Sequence, residues 1–182
     1  MANAREILSR MKSVQDTKKI TNAMYLISST KLKKSRKLLD ETEPYFYTLQ
    51  DVIHRILRHM PEMEHFYFTS GGERKEEERI KALIVITGDK GLAGSYNHNV
   101  LKIAHEWMNE SKNHRLYVVG EMGRHYFGSK HIRVEEQFHY TVQNPTMHRA
   151  RMIASTVLEE YQNKNLDEVW ILFTQMINSM KM

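Results

Sequence analysis

An α/β fold is what this sequence predicts, a long N-terminal helix followed by a mostly parallel sheet domain, and three observations carry the prediction. Residues 4 to 60 contain no glycine and a single proline, Pro44. Three apolar runs, KALIVIT at 81–87, RLYVVG at 115–120 and VWILFT at 169–174, are separated by segments of helical periodicity. A glycine-rich turn, GDKGLAGSYN, directly follows the first of these runs.

The first forty residues carry no helix-breaking punctuation, so they predict one long helix of coiled-coil character, with a bend or restart near Pro44. Continued over residues 4 to 60, it would reach roughly 85 Å at about 1.5 Å per residue, more than a small domain can bury. Its apolar positions, Ile7, Met11, Val14, Ile20, Met24, Ile27, Leu32, Leu38 and Leu39, step by three and four as in a helix packed on another helix. Between Ile27 and Leu38 the stripe thins to Ser28, Ser29, Thr30 and Ser35, too poor for a homodimeric zipper but adequate for a helix held by several surfaces. Beyond Pro44 the pattern thickens through Tyr45, Leu49, Val52, Ile53, Ile56 and Leu57, as expected against a globular body.

Residues 61–80, with Gly71, Gly72 and the run ERKEEER, have little to bury and predict a linker, disordered or looped. From residue 81 to 182 the pattern reads strand 81–87, helix 97–111, strand 115–120, short helix 122–127, weaker strand 132–138, helix 146–163 and strand 169–174. Apolar strands alternating with helices imply a parallel sheet covered on both faces, a Rossmann-like arrangement.

Composition narrows the functional classes. The chain has 182 residues, 41% hydrophobic and 27% charged, with a mean hydropathy of −0.59, so a globular body with much wet surface is expected. There is no cysteine, which excludes disulfides, thiolate catalysis and cysteine–zinc sites. The N-terminal stretch carries charges every few residues and lacks a signal peptide's apolar core. The longest apolar run, around Ala82 to Ile86, is far short of the roughly 20 residues a membrane-crossing helix needs.

A formal charge of +5 and a pI near 9.3 call for an acidic partner, and the location of the charge says which kind. From Thr17 to Leu39 there are seven cations, Lys18, Lys19, Lys31, Lys33, Lys34, Arg36 and Lys37, and no acid. A merely solvated helix usually intersperses both signs, so an acidic surface around this helix is the preferred reading. Nucleic acid is the rival for the same charge, but Tyr25 is the only aromatic residue there, and Ile20, Met24 and Ile27 ask for an apolar, protein-like contact.

The turn at 88–99 follows a strand, where glycine-rich loops can cradle phosphate, yet its spacing is neither that of a dinucleotide fingerprint nor that of a P-loop. A small phosphate- or nucleotide-binding enzyme using Asp89, Lys90 and the glycines is therefore the second reading. A strand-to-helix turn with Lys90 at its tip explains the same residues without a ligand. The ten histidines lack metal-ligand spacing, no catalytic motif is present, and no cofactor or metal is expected.

Two segments carry a family resemblance. REILSRMKSVQDTKKITNAMYLISSTKLKKS, residues 5–35, resembles the opening of the gamma subunits of F-type ATP synthases, whose pattern runs through I-x-S-V-x-x-T-x-K-I-T-x-A-M and then S-x-K. ITGDKGLAGSYNHN, residues 86–99, is similar to that family's D-R-G-L-C-G-G turn, with Lys90 for arginine, Ala93 for cysteine and Ser95 for the last glycine. FTQMINSM, residues 173–180, is similar to the family's segment at the end of a later strand.

The resemblance implies a non-catalytic central-stalk rotor subunit that couples rotation to ATP synthesis or hydrolysis on partner chains. Implied partners are the alpha and beta subunits, the epsilon subunit and the membrane rotor ring, with no nucleic acid and membrane association only through the complex. The implied location is peripheral, on the cytoplasmic side of a bacterial cell membrane. Lys18, Lys19, Met24, Lys31, Lys33, Lys34 and Arg36 are implied to face the stator, and Lys90, Leu92 and Ala93 an acidic lever of the beta subunit. The family pattern continues for roughly another hundred residues, about one small domain, and includes the first helix's antiparallel mate.

Overall fold

The computed structural model describes residues 4–60, 62, 65, 67, 74–136 and 138–176. The chain divides into two compact units, Met1–Met63 and Glu64–Met182.

The first unit is one helix, α1, Ala4–His59. At about 1.5 Å per residue its 56 residues extend about 84 Å. The helix runs through Pro44 without interruption, so the restart expected there does not occur. The ring removes only one amide, the donor to the Asp40 carbonyl, and the ladder resumes on either side. None of its residues is buried. Thr17, Thr21, Thr30, Thr42 and Thr48 each turn the side-chain hydroxyl back to donate to the carbonyl four residues earlier, at 2.7–2.9 Å. Their polar capacity is thus used locally, which makes these positions less water-demanding than the sequence suggests.

The second unit is an α/β body. Its elements are β1 (Lys81–Ile86), α2 (Tyr96–Glu110), β2 (His114–Val119), α3 (Glu121–Ser129), α4 (Met147–Gln162) and β3 (Glu168–Leu172). The three strands form a wholly parallel sheet in the order β2-β1-β3, with Lys81 opposite both His114 and Glu168. Central β1 is buried along four consecutive residues, Ala82 to Val85, which is why its sequence is uninterrupted and apolar instead of alternating.

Leu83, Val85, Leu116 and Val118 face one side, where they meet Val100, Leu101, Ala104 and Met108 of α2 and Phe127 of α3. Ala82, Ile84, Tyr117 and Val119 face the other, against Val157 of α4, Phe138 and Leu166. The apolar faces of α2 and α4 therefore dictate which side of the sheet each helix covers.

Two expectations are revised. The weaker strand anticipated at 132–138 does not form among the described residues. Ile132 and Val134 pack on the α2 side of the sheet, while Phe138 is buried on the α4 side. Among its described residues the segment crosses the edge of β2 with one backbone bond, Glu135 N–H to the Leu116 carbonyl at 2.9 Å, and so covers that edge without forming a strand there.

Of the anticipated linker, residues 61, 63–64, 66 and 68–73 lie outside the described residues, as do 177–180 of the FTQMINSM motif. The portion from Arg74 to Ile80 is tied down. Arg74 donates to the Asp167 carboxylate at 2.8 Å and to the Lys164 carbonyl at 3.1 Å, and the Ile80 amide donates to the same carboxylate oxygen at 2.8 Å. Arg79 and Lys81 flank Glu168 at 3.1 and 3.8 Å. Burial alone would raise the Glu168 pKa, but hydrogen bonds from Trp170 and Arg79 and the charges of Lys81 and Arg79 outweigh it and hold the group below its ordinary value.

Candidate functional site

The residues singled out on α1 lie on a helix with no buried residue, and all of them are exposed except Arg36, which is half-buried. Lys19 reaches Asp16 at 3.3 Å and Lys37 reaches Glu41 at 3.8 Å. Lys18, Lys31, Lys33 and Lys34 have no carboxylate within salt-bridge distance among the described residues. All four are exposed.

Helical geometry confines the cations to part of the circumference. At about 100° per residue, Lys18, Lys19, Lys31, Lys33, Lys34, Arg36 and Lys37 cover about 220° of its circumference and leave about 140° free. Thr21, Met24, Ser28, Leu32, Ser35 and Leu39 fall in the free sector. Thr21, Ser28 and Ser35, seven residues apart, form a low row between larger apolar side chains. Such a seam admits the close approach of another helix, while the cationic sector faces elsewhere. Met24 lies on the seam, not among the cations, and is about half exposed.

In the sheet body, Lys90, Leu92 and Ala93 lie together in the turn between β1 and α2, at the carboxyl end of the sheet, and residues 90–95 are all exposed. Leu92 is 94% exposed and has φ +60°, and Gly94 has φ +57°. An apolar side chain in the left-handed region, fully in water, contributes nothing to the core. Two residues on, Gly94 adopts the same left-handed region at no steric cost.

The base of this turn is rigid. The Gly88 amide donates to Asn97 Oδ1 at 2.8 Å, and the Gly88 carbonyl accepts from the Met122 amide at 3.0 Å. Thr87 Oγ1 donates to the Val119 carbonyl at 3.2 Å and accepts from the Gly123 amide at 2.9 Å. Gly120 has φ +103°, and a Cβ there would stand 2.2 Å from the Thr87 carbonyl oxygen, so only glycine fits. Asp89 accepts the Glu121 amide at 3.2 Å, the Val142 amide at 3.1 and 3.3 Å, and the Gln143 amide at 3.2 Å.

This arrangement argues against the phosphate-binding reading. A carboxylate already holding three backbone amides is not free for general base work, and its negative charge sits where a phosphate would need amides. Sequence reasoning placed Asp89 in the turn but missed its partners, which lie 32 to 54 residues away. Among the described residues there is no cluster of three or more His, Asp or Glu suited to a metal ion, and no helix long and apolar enough to cross a membrane.

Comparison with known proteins agrees in direction. The family model described as ATP synthase matches residues 3–182. The ATP synthase gamma chain of Caldanaerobacter subterraneus is 44% identical over 172 residues, covering 94% of this chain and 58% of that one. The ATP synthase gamma chain of Ruminiclostridium cellulolyticum is 45% identical over 181 residues, covering 99% of this chain and 61% of that one. The chain thus spans about three fifths of the length of the curated relatives it matches. A solved chain from the Euglena gracilis mitochondrial ATP synthase aligns at a TM-score of 0.40 with 15% identity, covering 80% of this chain and 52% of that one.

Proposed function

The chain belongs to the ATP synthase gamma family, and on that premise we propose that it acts as a central-stalk rotor subunit. It carries no catalytic group of its own and couples ion-driven rotation to ATP synthesis or hydrolysis on partner chains. The observation that carries this reading is α1, a helix of 56 residues with nothing buried, an apolar seam and a cationic sector that holds no acid between Thr17 and Leu39. A helix this long draws little stability from propensity alone and needs external surfaces to cover it.

The seam suits a mate helix, and the cationic sector suits acidic surfaces of alpha and beta subunits surrounding the shaft. The bare tip Lys90–Ala93 suits an acidic lever on the beta subunit. Epsilon and the membrane rotor ring complete the proposed partners, and the chain reaches the cytoplasmic face of the membrane through them. Exposed ion pairs contribute about 0–1 kcal/mol each, so the cations act as a bearing that tolerates sliding.

Co-purification with alpha and beta subunits tests the proposal, using this chain and a version extended by the family's C-terminal helix, followed by an ATP hydrolysis assay. Formation of an active complex by the extended version supports it. Failure of both to bind, with the chain instead binding nucleotide or DNA, refutes it.

A further inference from the structure

We infer that Asp89 is a positioning residue that holds the exposed tip Lys90–Ala93 as a fixed projection toward its acidic partner. The inference rests on the docking role proposed above for that tip, and its geometry stands independently. The Asp89 carboxylate joins three separate segments. It is part of the turn after β1, and it accepts amides from the first residue of α3 and from the irregular segment at Val142 and Gln143. Arg149 extends the connection by donating to the Gln143 carbonyl, and the Thr146 hydroxyl caps α4 through the Arg149 amide at 3.2 Å. The carboxylate therefore fastens the base of the turn directly to the start of α3 and, through Gln143 and Arg149, indirectly to the start of α4.

The arrangement is unequal in an informative way. Gly88 and Asp89 are immobilised by bonds to Asn97, Glu121, Met122, Val142 and Gln143, whereas the tip beyond them is exposed at every residue from Lys90 to Ser95. A tip with so little support of its own takes its direction from its base. The amides that Asp89 holds lie at part-buried or exposed sites, so water can replace the carboxylate and the fold can survive its loss. What would be lost is the fixed direction of the tip. A pre-oriented contact loses less entropy on binding than a mobile one.

The test uses the full chain with Asp89→Asn, which keeps the size but removes the charge and places amide hydrogens against amides, and with Asp89→Glu as the conservative variant. Amide hydrogen exchange at Glu121, Val142 and Gln143 reads the clamp. Since the chain has no cysteine, a single label at Leu92→Cys reads tip mobility. Binding of unlabelled chain to an alpha–beta head reads docking.

The expected result for Asp89→Asn is about tenfold faster exchange at those amides, a more mobile label, unchanged helix content and about tenfold weaker binding, with Asp89→Glu recovering part of each. Unchanged label mobility, or increased mobility with wild-type binding, overturns the inference and leaves the rotor reading standing. A wild-type chain, extended by the family's C-terminal helix, that fails to bind the head overturns the rotor reading, and the inference with it.

Discussion

Neutralising the cationic sector of α1 is the most direct perturbation of the proposed shaft. Lys18, Lys31, Lys33 and Lys34 have no carboxylate partner in salt-bridge range among the described residues, so replacing all four by glutamine removes no internal ion pair. Glutamine and lysine have nearly equal helix propensity, so circular dichroism should be unchanged. The formal net charge falls by four from +5.

With about 0.5 kcal/mol per exposed pair formed in the complex, Lys33→Ala alone weakens binding about twofold, and the four substitutions together about 30-fold. The assay is titration of the chain, extended by the family's C-terminal helix, into an alpha–beta head at increasing sodium chloride. The Debye length shortens from about 10 Å at 0.1 M to about 3 Å at 1 M, so wild-type binding should weaken with salt and the quadruple variant should respond less. Abolition of binding by Lys33→Ala alone would refute the bearing argument, because one exposed charge cannot supply that much. So would a quadruple variant with wild-type affinity and salt dependence.

Two further outcomes concern the sheet body, which holds both tryptophans, Trp107 and Trp170, so that fluorescence reports on it separately from α1. Gly120→Ala forces a Cβ to within 2.2 Å of the Thr87 carbonyl oxygen at φ +103° and should destabilise this unit by about 3 kcal/mol or more in urea unfolding, whereas a loss under about 1 kcal/mol would show that the β2–α3 junction relaxes freely. Glu168 has a folded pKa below its ordinary value of 4.5, so its stabilising contribution is complete above 4.5 and is lost as pH falls through the lower folded value. Acid unfolding of Glu168→Gln should therefore show a smaller stability difference from wild type below that window than at neutral pH, and an undiminished difference would contradict the assignment.

Sequence and structure divide along a physical line. Local pattern determined much. The glycine-free run predicted α1, and the strands at 81–87, 115–120 and 169–174 were anticipated close to where β1, β2 and β3 are found; burial on both faces accounts for the unbroken apolar run of central β1, whereas the equally apolar β3 is exposed from Val169 to Ile171. The acid-free cationic run and the exposed turn were likewise legible, since neither depends on what is distant in the chain.

Tertiary structure alone decided what long-range contacts control. The segment 132–138 has strand-like alternation, yet Phe138 is drawn to the opposite face of the sheet from Ile132 and Val134, and the backbone wraps the edge of β2 instead of pairing with it. Residues 74–80 read as linker because their charges suggested solvent, but Arg74 meets Asp167 across 93 residues of sequence. Asp89 read as a turn residue or a phosphate ligand until its three amide partners were located. Periodicity is a property of neighbours a few residues apart, whereas these bonds exist only because the parallel order β2-β1-β3 brings the ends of distant segments together.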